Sequence, residues 1–404
     1  MKKLPFDLTE ALKGCKTMDD LMGENGVIKN LIKHSVENIL QEEMNAHLGY
    51  EKNLPKNKRV KNSRNGTSKK TVRSSQGPIE LDIPRDRESD FEPLILAKHQ
   101  RDISSFDQKI ISMYAKGMTT RDIQAHIKDI YGVSISASMV SLITDKVMSH
   151  AIEWQNRPLH QVYTVVYFDA IHYKVRHNSK IVNKAAYTVL GITNEGKKDI
   201  LGIWIGENEG ATFWLSVINE LKNRGVEDIL IACMDGLKGL PDAVKAVFSN
   251  TDVQLCIVHM IRNSYKFVPS KNRVKFITDL KSIYKANSET EATYALNKLD
   301  EKWGKKYPLA VKPWINNWEH IATFFKYPEE LRRLIYTTNA VEAVHRQFRK
   351  VTKTRSILAN DESLFKILYL AAEDITKKWK YSVRDWQVIL TQLHILFKER
   401  LMMG

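Results

Sequence analysis

The order of apolar segments between residues 162 and 260 limits the fold of this chain more than any other feature. Three β-rich segments come first, and a helix, a strand, a second helix and a last strand follow. In chain order they are VYTVVYFDA (162–170), AAYTVLGIT (185–193), DILGIWIG (199–206), ATFWLSVINELKNRG (211–225), EDILIACMDG (227–236), PDAVKAVF (241–248) and DVQLCIVHM (252–260). Three consecutive strands suit an antiparallel meander, whereas strands joined through helices run parallel. The sequence therefore predicts an α/β fold with a mixed five-stranded sheet.

Two aspartates close apolar strands of this predicted sheet. Asp169 follows TVVYF at the end of the first strand, and Asp235 follows ILIACM at the end of the fourth. Sites in α/β sheets collect at the carboxyl ends of strands, and the aspartates would face each other if the fourth strand lay beside the first. Like charges so close require a cation, and oxygen ligands suit Mg²⁺ or Mn²⁺. A single aspartate at a strand end is more often a loop or cap residue, and that alternative stays open for both.

Motifs of several other chemistries are missing from the sequence. It contains neither GxxxxGK[ST] nor GxGxxG after a strand, so it lacks the phosphate cradles of nucleotide hydrolysis and hydride transfer. It also lacks the GxSxG elbow of acyl transfer. Cys256 and His259 have the spacing of half a zinc site, but no second pair matches it, so we favour a structural role at the strand end. We predict no small-molecule substrate.

The charge of the chain points to a polyanionic partner. Its 62 Lys and Arg residues exceed its 47 Asp and Glu residues, which gives a net charge of +15. Nucleic acid is the first candidate for such a partner, and an anionic membrane surface is the second. No apolar run approaches the roughly 20 residues that cross a bilayer, and the first residues, MKKLPFDLTEALKG, do not resemble a signal peptide. Three cysteines are too few for a disulfide framework, so we expect a soluble protein of a reducing compartment.

The N-terminal part combines a helix with a basic segment. Apolar residues at spacings of three and four predict a helix over 17–48, which is our candidate for a dimer interface. Residues 52–73 carry nine basic residues and no acidic one, which is typical of a solvated arm that contacts phosphates, with a solubilising linker as the alternative. The candidate DNA contacts in this arm are Lys58, Arg59, Lys61, Arg64, Lys69 and Lys70. A turn at Gly77 and Pro78 then predicts a small hairpin.

Residues 101–150 predict three short helices. Gly117 ends the first helix, Thr119 or Thr120 can cap the second, and Ser136 can cap the third. This layout is that of a helix-turn-helix, whose last helix would enter the major groove of DNA. The residues that we expect this last helix to expose are Ser138, Ser141, Thr144 and Asp145. None of them is an Arg, Asn or Gln, the usual readers of bases, so plain packing of three helices is the alternative.

The segment TTNAVEAVHRQFRK, residues 337–350, carries a single acid, Glu342, among basic residues. Asn339 and Glu342 have the spacing of a capping box, in which a glutamate bonds back to the N-cap residue three positions earlier. The same carboxylate could instead belong with the acids upstream, since a helix N-terminus favours an anion. The candidates to hold DNA phosphate on the same helix face are His345, Arg349 and, first among them, Arg346.

Four motifs together identify a family. They are YFDAIHYKVR (167–176), CMDGLKGLPDAV (233–244), QLCIVHMIRNS (254–264) and YTTNAVEAVHRQFRK (336–350). In this order and spacing they resemble the Mutator-type transposases of bacterial insertion sequences, and the similarity runs over nearly the whole chain. The resemblance implies an RNase H-like catalytic core with a DDE set of metal-binding acids, which here are Asp169, Asp235 and Glu342. It also implies that Cys256 and His259 carry the family's Cys-x-x-His element.

The resemblance also explains the long separation of Asp235 and Glu342, because it implies an all-helical insertion in the core at residues 262–335. Aromatic and basic residues alternate in this segment and could stack an unpaired nucleotide, although core packing is the better explanation for any one tryptophan. We expect five regions: a helical and basic N-terminal region with a small hairpin (1–98), a helix-turn-helix DNA-binding domain (99–155), the first part of the core (156–261), the helical insertion (262–335) and the C-terminal helices of the core (336–404).

These expectations describe a DNA transposase of the bacterial cytoplasm that associates with the nucleoid. It would act on double-stranded DNA, namely the terminal inverted repeats of an insertion sequence and a target, as a homodimer and without a membrane partner. Two Mg²⁺ or Mn²⁺ ions about 4 Å apart would serve cleavage by water and then attack by the freed 3′-OH, with no covalent protein intermediate. The alternatives are a metal-dependent nuclease or resolvase with the same core, a non-enzymatic DNA-binding regulator, and an RNA-binding protein.

Overall fold

The computed structural model describes residues 26–52, 61–74, 77–93, 95–96, 104–131, 135–207, 210–236, 239–336 and 338–401, with the isolated positions 17, 20 and 23. These residues form two compact units, one that ends at Val147 and one that begins at Met148. Within the described ranges, no helix is both long and apolar enough to cross a membrane.

The first unit contains a long helix and a two-stranded hairpin. Helix α1 is Val27–Leu48, and strands β1 (Arg64–Ser74) and β2 (Gly77–Asp86) pair antiparallel. The hairpin predicted at Gly77 is confirmed, and this glycine has a φ of 89°, a conformation that side chains disfavour. Apolar residues at helical spacing on α1 and at alternate positions on the strands share one core, which contains Ile32, Val36, Leu40, Val72, Ile79, Leu81 and Leu96.

Part of the predicted basic arm belongs to this hairpin. The interpretation of 52–73 as a solvated arm is wrong for residues 64–70, which belong to β1, while 71–73 lie in the hairpin that the sequence also predicts. Val72 is fully buried while its neighbour Thr71 is exposed, which is the alternation of a β-strand. The many basic residues of this segment hide that pattern in the sequence. Lys58 and Arg59 lie outside the described residues.

Three short helices follow in the first unit. They are α2 (Ser104–Ala115), α3 (Thr120–Tyr131) and α4 (Ala137–Asp145), and α4 contacts both of the others. The backbone N–H groups of Thr119 and Asp122 bond to each other's side chains at 3.0 and 3.1 Å, which caps the start of α3. The Ser136 hydroxyl accepts the backbone N–H of Met139 at 3.0 Å, as expected of an N-cap residue. The cap predicted at Ser136 is confirmed, and of the two threonines proposed for α3, Thr119 is the cap while Thr120 is the first helical residue. The helix-turn-helix stays a prediction.

The second unit is built on a mixed sheet of five strands. Helix α5 (Val147–Asn156) precedes the sheet, and α6 (Ala211–Asn223) and α7 (Leu240–Val247) connect its later strands. The strands are β3 (Val162–His177), β4 (Lys180–Thr193), β5 (Lys198–Gly206), β6 (Asp228–Met234) and β7 (Asp252–Leu255), in the spatial order β5-β4-β3-β6-β7. Strand β4 runs antiparallel to β3 and β5, whereas β6 runs parallel to β3 and β7. The predicted mixed sheet is confirmed. The fourth strand lies beside the first, which is the condition for the two aspartates to face each other.

Strands β3 and β4 form one long hairpin. The prediction that β3 ends near Ala170 is wrong, because the strand continues to His177. Its second half buries Ile171 and Val175, but the residues between them are mostly polar. This half therefore lacks the apolar run that marks the first half as a strand. Asp169 therefore lies within β3 and not at its end.

Helices account for most of the chain after β7. They are α8 (Ile257–Lys266), α9 (Ser270–Tyr284), α10 (Glu289–Leu299), a π-helical turn (Asp300–Gly304), α11 (Pro308–Asn316), α12 (Trp318–Ala322), a 3₁₀ turn (Thr323–Lys326), α13 (Glu329–Ile335), α14 (Asn339–Thr352), α15 (Asp361–Thr376) and α16 (Trp386–Leu401). Trp303 and Trp314 are buried, and their indole N–H groups donate to Asp279 at 2.7 Å and to Ser264 at 2.8 Å. Core packing therefore explains these two tryptophans, which have no free face for a nucleotide.

Candidate metal centre

Asp169 and Asp235 come together at one edge of the β3–β6 pair. The parallel pairing of these strands ends at Phe168 and Met234, and each aspartate is the residue that follows. Both strands reach this point in the same direction, so their carboxylates lie at the same edge. In each case Oδ1 accepts the backbone N–H of the next residue, at 2.8 Å for Asp169 and 2.7 Å for Asp235. These bonds restrict how the two side chains can rotate.

His259 joins the two aspartates from the first turn of α8, which begins directly after β7. One potential ligand atom from each of Asp169, Asp235 and His259 lies within 4.8 Å of the others. His259 Nδ1 is 3.7 Å from Asp235 Oδ1, and this buried nitrogen has no hydrogen-bond partner. Two carboxylates and, once His259 has lost its proton, an imidazole nitrogen form a donor set that fits a divalent cation such as Mn²⁺, or Mg²⁺ through the oxygens.

The charges around His259 favour a cation. Burial on its own would lower the pKa of His259, but the neighbouring Cys256 sulfur and the carboxylates of Asp235 and Asp169 outweigh burial and raise this pKa to about 9. The pKa of Cys256 moves the other way. Burial would raise it, but His259 and the Thr338 hydroxyl, which donates to the sulfur at 3.6 Å, hold it below its usual value. Cys256 and His259 thus shift each other's pKa, and the two aspartates further raise the pKa of His259.

Glu342 reaches the same region from helix α14. Its Oε1 accepts a hydrogen bond from Arg262 Nη1 at 2.6 Å and lies 3.4 Å from His259 Nε2. The predicted capping box is wrong, because α14 begins one residue earlier than expected: Thr338 is the N-cap residue and Asn339 is already helical. The Glu342 carboxylate is consequently directed to Arg262 and His259.

His345 is buried beside Asp169. Only 1% of this residue is exposed, since it lies on the face of α14 that packs on β3 and β4. His345 Nδ1 is 3.3 Å from Asp169 Oδ2, and its Nε2 is 3.1 Å from Thr188 Oγ1. The expectation that His345 holds DNA phosphate does not fit this position, because a side chain enclosed by a helix and a sheet cannot reach DNA. His345 instead lies against the Asp169 carboxylate, where it is suited to orient that side chain.

We expect His345→Leu to weaken Mn²⁺ binding about tenfold, because Asp169 would lose the side chain that orients it. Calorimetric titration of the metal-free protein with Mn²⁺ measures the effect. His345→Gln, which keeps a side-chain N–H, should recover part of the affinity. If His345→Leu lowers the melting temperature but leaves Mn²⁺ affinity unchanged, His345 only fills space in the core.

A second group of potential ligands lies in the first unit and has a structural explanation. It consists of His47, Asp86 and Asp90, with ligand atoms within 4.8 Å of one another. Asn62 donates to Asp86 at 2.6 Å and to Asp90 at 3.0 Å, and the backbone N–H of Phe91 donates to Asp86 at 3.3 Å. These bonds tie the segment after β2 to the start of β1, so the cluster holds together without a cation.

The family of the chain follows from a comparison with known proteins. A sequence model described as "Transposase, Mutator family" matches residues 6–382. The chain belongs to the Mutator family of transposases. The predicted family is thereby confirmed, and the match covers both structural units.

Relatives of this Mutator-family chain are named for insertion sequences. A probable transposase for insertion sequence element ISRM3-like from Sinorhizobium fredii is 45% identical over 395 residues, which cover 98% of each protein. The transposase for insertion sequence element ISRM3 from Rhizobium meliloti is 44% identical over 397 residues, again 98% of each. Among solved structures, the Drosophila P element transposase strand transfer complex matches 73% of this chain and 86% of that chain at 10% identity. Its TM-score of 0.29 is too low to bear on the fold.

The candidate DNA contacts of this Mutator-family protein differ in exposure. Arg346 and Arg349 are exposed on α14, and Lys61 is exposed before β1. Lys69 is exposed but pairs across the hairpin with Glu80 at 2.6 Å. The exposure of Arg346 and Arg349 would let them reach a phosphate, whereas Lys69 would first have to leave Glu80.

Other candidates are held within the first unit. Arg64 donates to the Tyr50 carbonyl at 2.9 Å and lies over the Tyr50 ring at 4.7 Å, so it is committed to internal contacts. On α4, Ser138 is exposed and Ser141 is half-buried. The expectation that Thr144 is exposed is wrong, because it lies on the face of α4 that packs inside the unit. Lys70 is half-buried on β1.

The sequence reasoning missed Arg262. Cys256, His259 and Arg262 follow one another at intervals of three, and a helix that begins after Cys256 brings His259 and Arg262 to neighbouring positions on one face. Arg262 Nη1 lies 3.3 Å from His259 Nε2. The signal is a basic residue three positions after the Cys-x-x-His element. It predicts that Arg262 lies beside His259 once a helix is assigned to the residues after Cys256.

Proposed function

We propose that this Mutator-family protein is the transposase of a bacterial insertion sequence, which cuts DNA at the terminal inverted repeats and joins the freed 3′-OH to target DNA. Asp169, Asp235 and Glu342 are the metal-binding carboxylates of the proposal. The observation that carries it is the approach of Asp169 and Asp235 where the β3–β6 pairing ends, with an imidazole between Asp235 and Glu342.

The strand order supports an RNase H-like catalytic core. A meander of β3, β4 and β5 is followed by β6 and β7 on the other side of β3, which brings together Asp169 and Asp235, the residues that follow the last paired residues of β3 and β6. In the proposal this core consists of residues 156–261 and 336–404. Residues 262–335 are its helical insertion, and the fully buried Trp314 supports their packing as a core of their own.

A bound divalent ion would supply positive charge at the phosphate under attack. The chain supplies the ligands and their orientation: His345 fixes Asp169, and the exposed Arg346 and Arg349 are suited to hold DNA phosphate. Attack by water or by a 3′-OH needs no nucleophilic side chain. The site agrees with this chemistry, since Cys256, the thiol beside it, is buried and cannot reach a DNA phosphate.

The first unit is the proposed reader of the DNA ends. Helices α2, α3 and α4 form the helix-turn-helix of the proposal, with Ser138 on the exposed face of α4. Lys61 and the basic residues before it contribute phosphate contacts. Two copies of the chain pair through α1 so that two transposon ends are held together.

The proposal predicts that cleavage and strand transfer both require a divalent ion. A labelled duplex that carries one terminal inverted repeat is incubated with the purified chain and a target plasmid, and products are separated on denaturing and native gels. We expect cleaved and joined products with Mg²⁺ or Mn²⁺, none with excess EDTA, and recovery when Mg²⁺ is restored.

Each contrary result points to a different function. Cleavage without joining would indicate a nuclease or resolvase. Specific binding without cleavage in either metal would indicate a regulator, and tighter binding of structured RNA at the same salt would indicate an RNA-binding protein. Full activity in EDTA would exclude the metal-dependent mechanism.

A further inference from the structure

Glu342 stands apart from the other two acids of the proposed catalytic set. Among the described residues, the group of ligand atoms within 4.8 Å contains Asp169, Asp235 and His259 but not Glu342. The Glu342 carboxylate is instead 2.6 Å from Arg262 and 3.4 Å from His259. Two side chains that can carry positive charge thus hold the one acid that the metal group lacks.

Arg262 is the stronger of these two contacts. Its guanidinium donates a charge-assisted hydrogen bond to Glu342, and guanidinium groups stay protonated at all physiological pH values. The Arg262 side chain is 55% exposed, whereas that of Glu342 is 24% exposed. Arg262 therefore sits at the rim of the site, where it can move into solvent with little loss of packing, while Glu342 remains in place.

We propose that Arg262 competes with the divalent cation for Glu342, so that metal binding by this acid requires Arg262 to leave. The inference rests on the proposed function, in which Glu342 is a metal ligand. A carboxylate oxygen shared with a guanidinium has less negative charge to offer a metal, and the positive charge of Arg262 opposes a second cation nearby. The same contact relieves the repulsion that an unpaired Glu342 would feel near Asp169 and Asp235. Arg262 is thus a positioning residue that sets the concentration of divalent metal at which the site fills.

The test is the affinity of the whole chain for Mn²⁺ without DNA, measured by calorimetry and by electron paramagnetic resonance of free Mn²⁺. We expect Arg262→Gln to bind Mn²⁺ about fivefold more tightly than the wild type, a modest gain because the Arg262–Glu342 pair is partly exposed. Arg262→Lys should fall between the two, since a lysine keeps the charge but not the planar fork. In a Glu342→Gln background, Arg262→Gln should bring no gain.

Lys266→Gln is the matched control. Lys266 lies one turn further along α8, is exposed and bonds to Asn263 at 2.9 Å, so its removal changes the net charge equally without touching Glu342. Its Mn²⁺ affinity should stay within about twofold of the wild type, as expected for a screened surface charge.

The outcomes separate this inference from the proposed function. Unchanged or weaker binding in Arg262→Gln, an equal gain in Lys266→Gln, or a gain that persists without Glu342 would each overturn the competition. If Asp169→Asn with Asp235→Asn binds Mn²⁺ as tightly as the wild type, the metal site itself is wrong and both proposals fall. Loss of Mn²⁺ binding in that double variant, with a gain in Arg262→Gln, supports both.

Discussion

Asp169→Asn and Asp235→Asn should each reduce cleavage and strand transfer by about a thousandfold, with the protein still folded and bound to DNA. Asparagine has nearly the shape of aspartate but carries no negative charge, so either change removes half of the charge that draws a cation to the end of the β3–β6 pair. The measurement is the initial rate on the labelled transposon-end duplex in Mg²⁺. Mn²⁺ affinity should fall in parallel, because both residues lie in the same group of ligand atoms.

The fold of these variants should survive because an asparagine Oδ1 can still accept the backbone N–H of the next residue. The relief of like-charge repulsion offsets the lost attraction to His259, so melting temperatures should stay close to that of the wild type. Asp374→Asn is the matched control: it makes the same change at an exposed position of α15 and should keep full activity. A variant that melts well below the wild type would make its lost activity uninformative, and normal rates in both variants would remove these aspartates from the chemistry.

Trp214→Ala should lower the free energy of unfolding of the second unit by about 3–5 kcal/mol, the usual cost of removing a fully buried tryptophan. Trp214 lies on α6, is 0% exposed and meets the rings of Phe168, Tyr187 and Phe213 at centroid distances of 6.3, 5.0 and 5.1 Å. Phe168 directly precedes Asp169, so a cavity at this position would also loosen the strand that carries the acid. Urea unfolding followed by far-UV circular dichroism measures the change.

Leu215→Ala provides the comparison for the tryptophan. Leu215 is the next residue of α6, but it is 39% exposed, so its loss should cost no more than about 0.5 kcal/mol. A loss in Trp214→Ala that is as small as this would mean that the aromatic cluster does not hold α6 against the sheet.

The sheet and its two aspartates could be predicted because their signals are local. Each strand is marked by a short apolar run. The alternation of helices and strands from residue 211 onward leaves few possible arrangements of the strands in the sheet. The predicted end of β3 is wrong because the second half of this strand is mostly polar and contains no apolar run. Residues 171–177 continue β3 and pair with β4, so the site lies where β6 stops and not where β3 ends.

The orientation of Glu342 on α14 could not be predicted from the local sequence. The spacing of Asn339 and Glu342 was right for a capping box, but the residue that begins a helix depends on how its apolar face docks. Val341, Val344 and Phe348 are buried, and in the docked helix Thr338 precedes the first turn. The Glu342 side chain is then available to Arg262, a contact between residues that are 80 positions apart.

The sequence thus determined the family, the mixed sheet and the two acids at which the β3–β6 pairing ends, since each rests on patterns that a few consecutive residues carry. The partners of Asp169 and of Glu342 came only from the folded chain. His345 lies beside Asp169 because α14 packs on β3 and β4, and Arg262 holds Glu342 because α8 and α14 converge on one edge of the sheet. Contacts of this kind depend on the packing of distant segments, and no spacing along the chain encodes them.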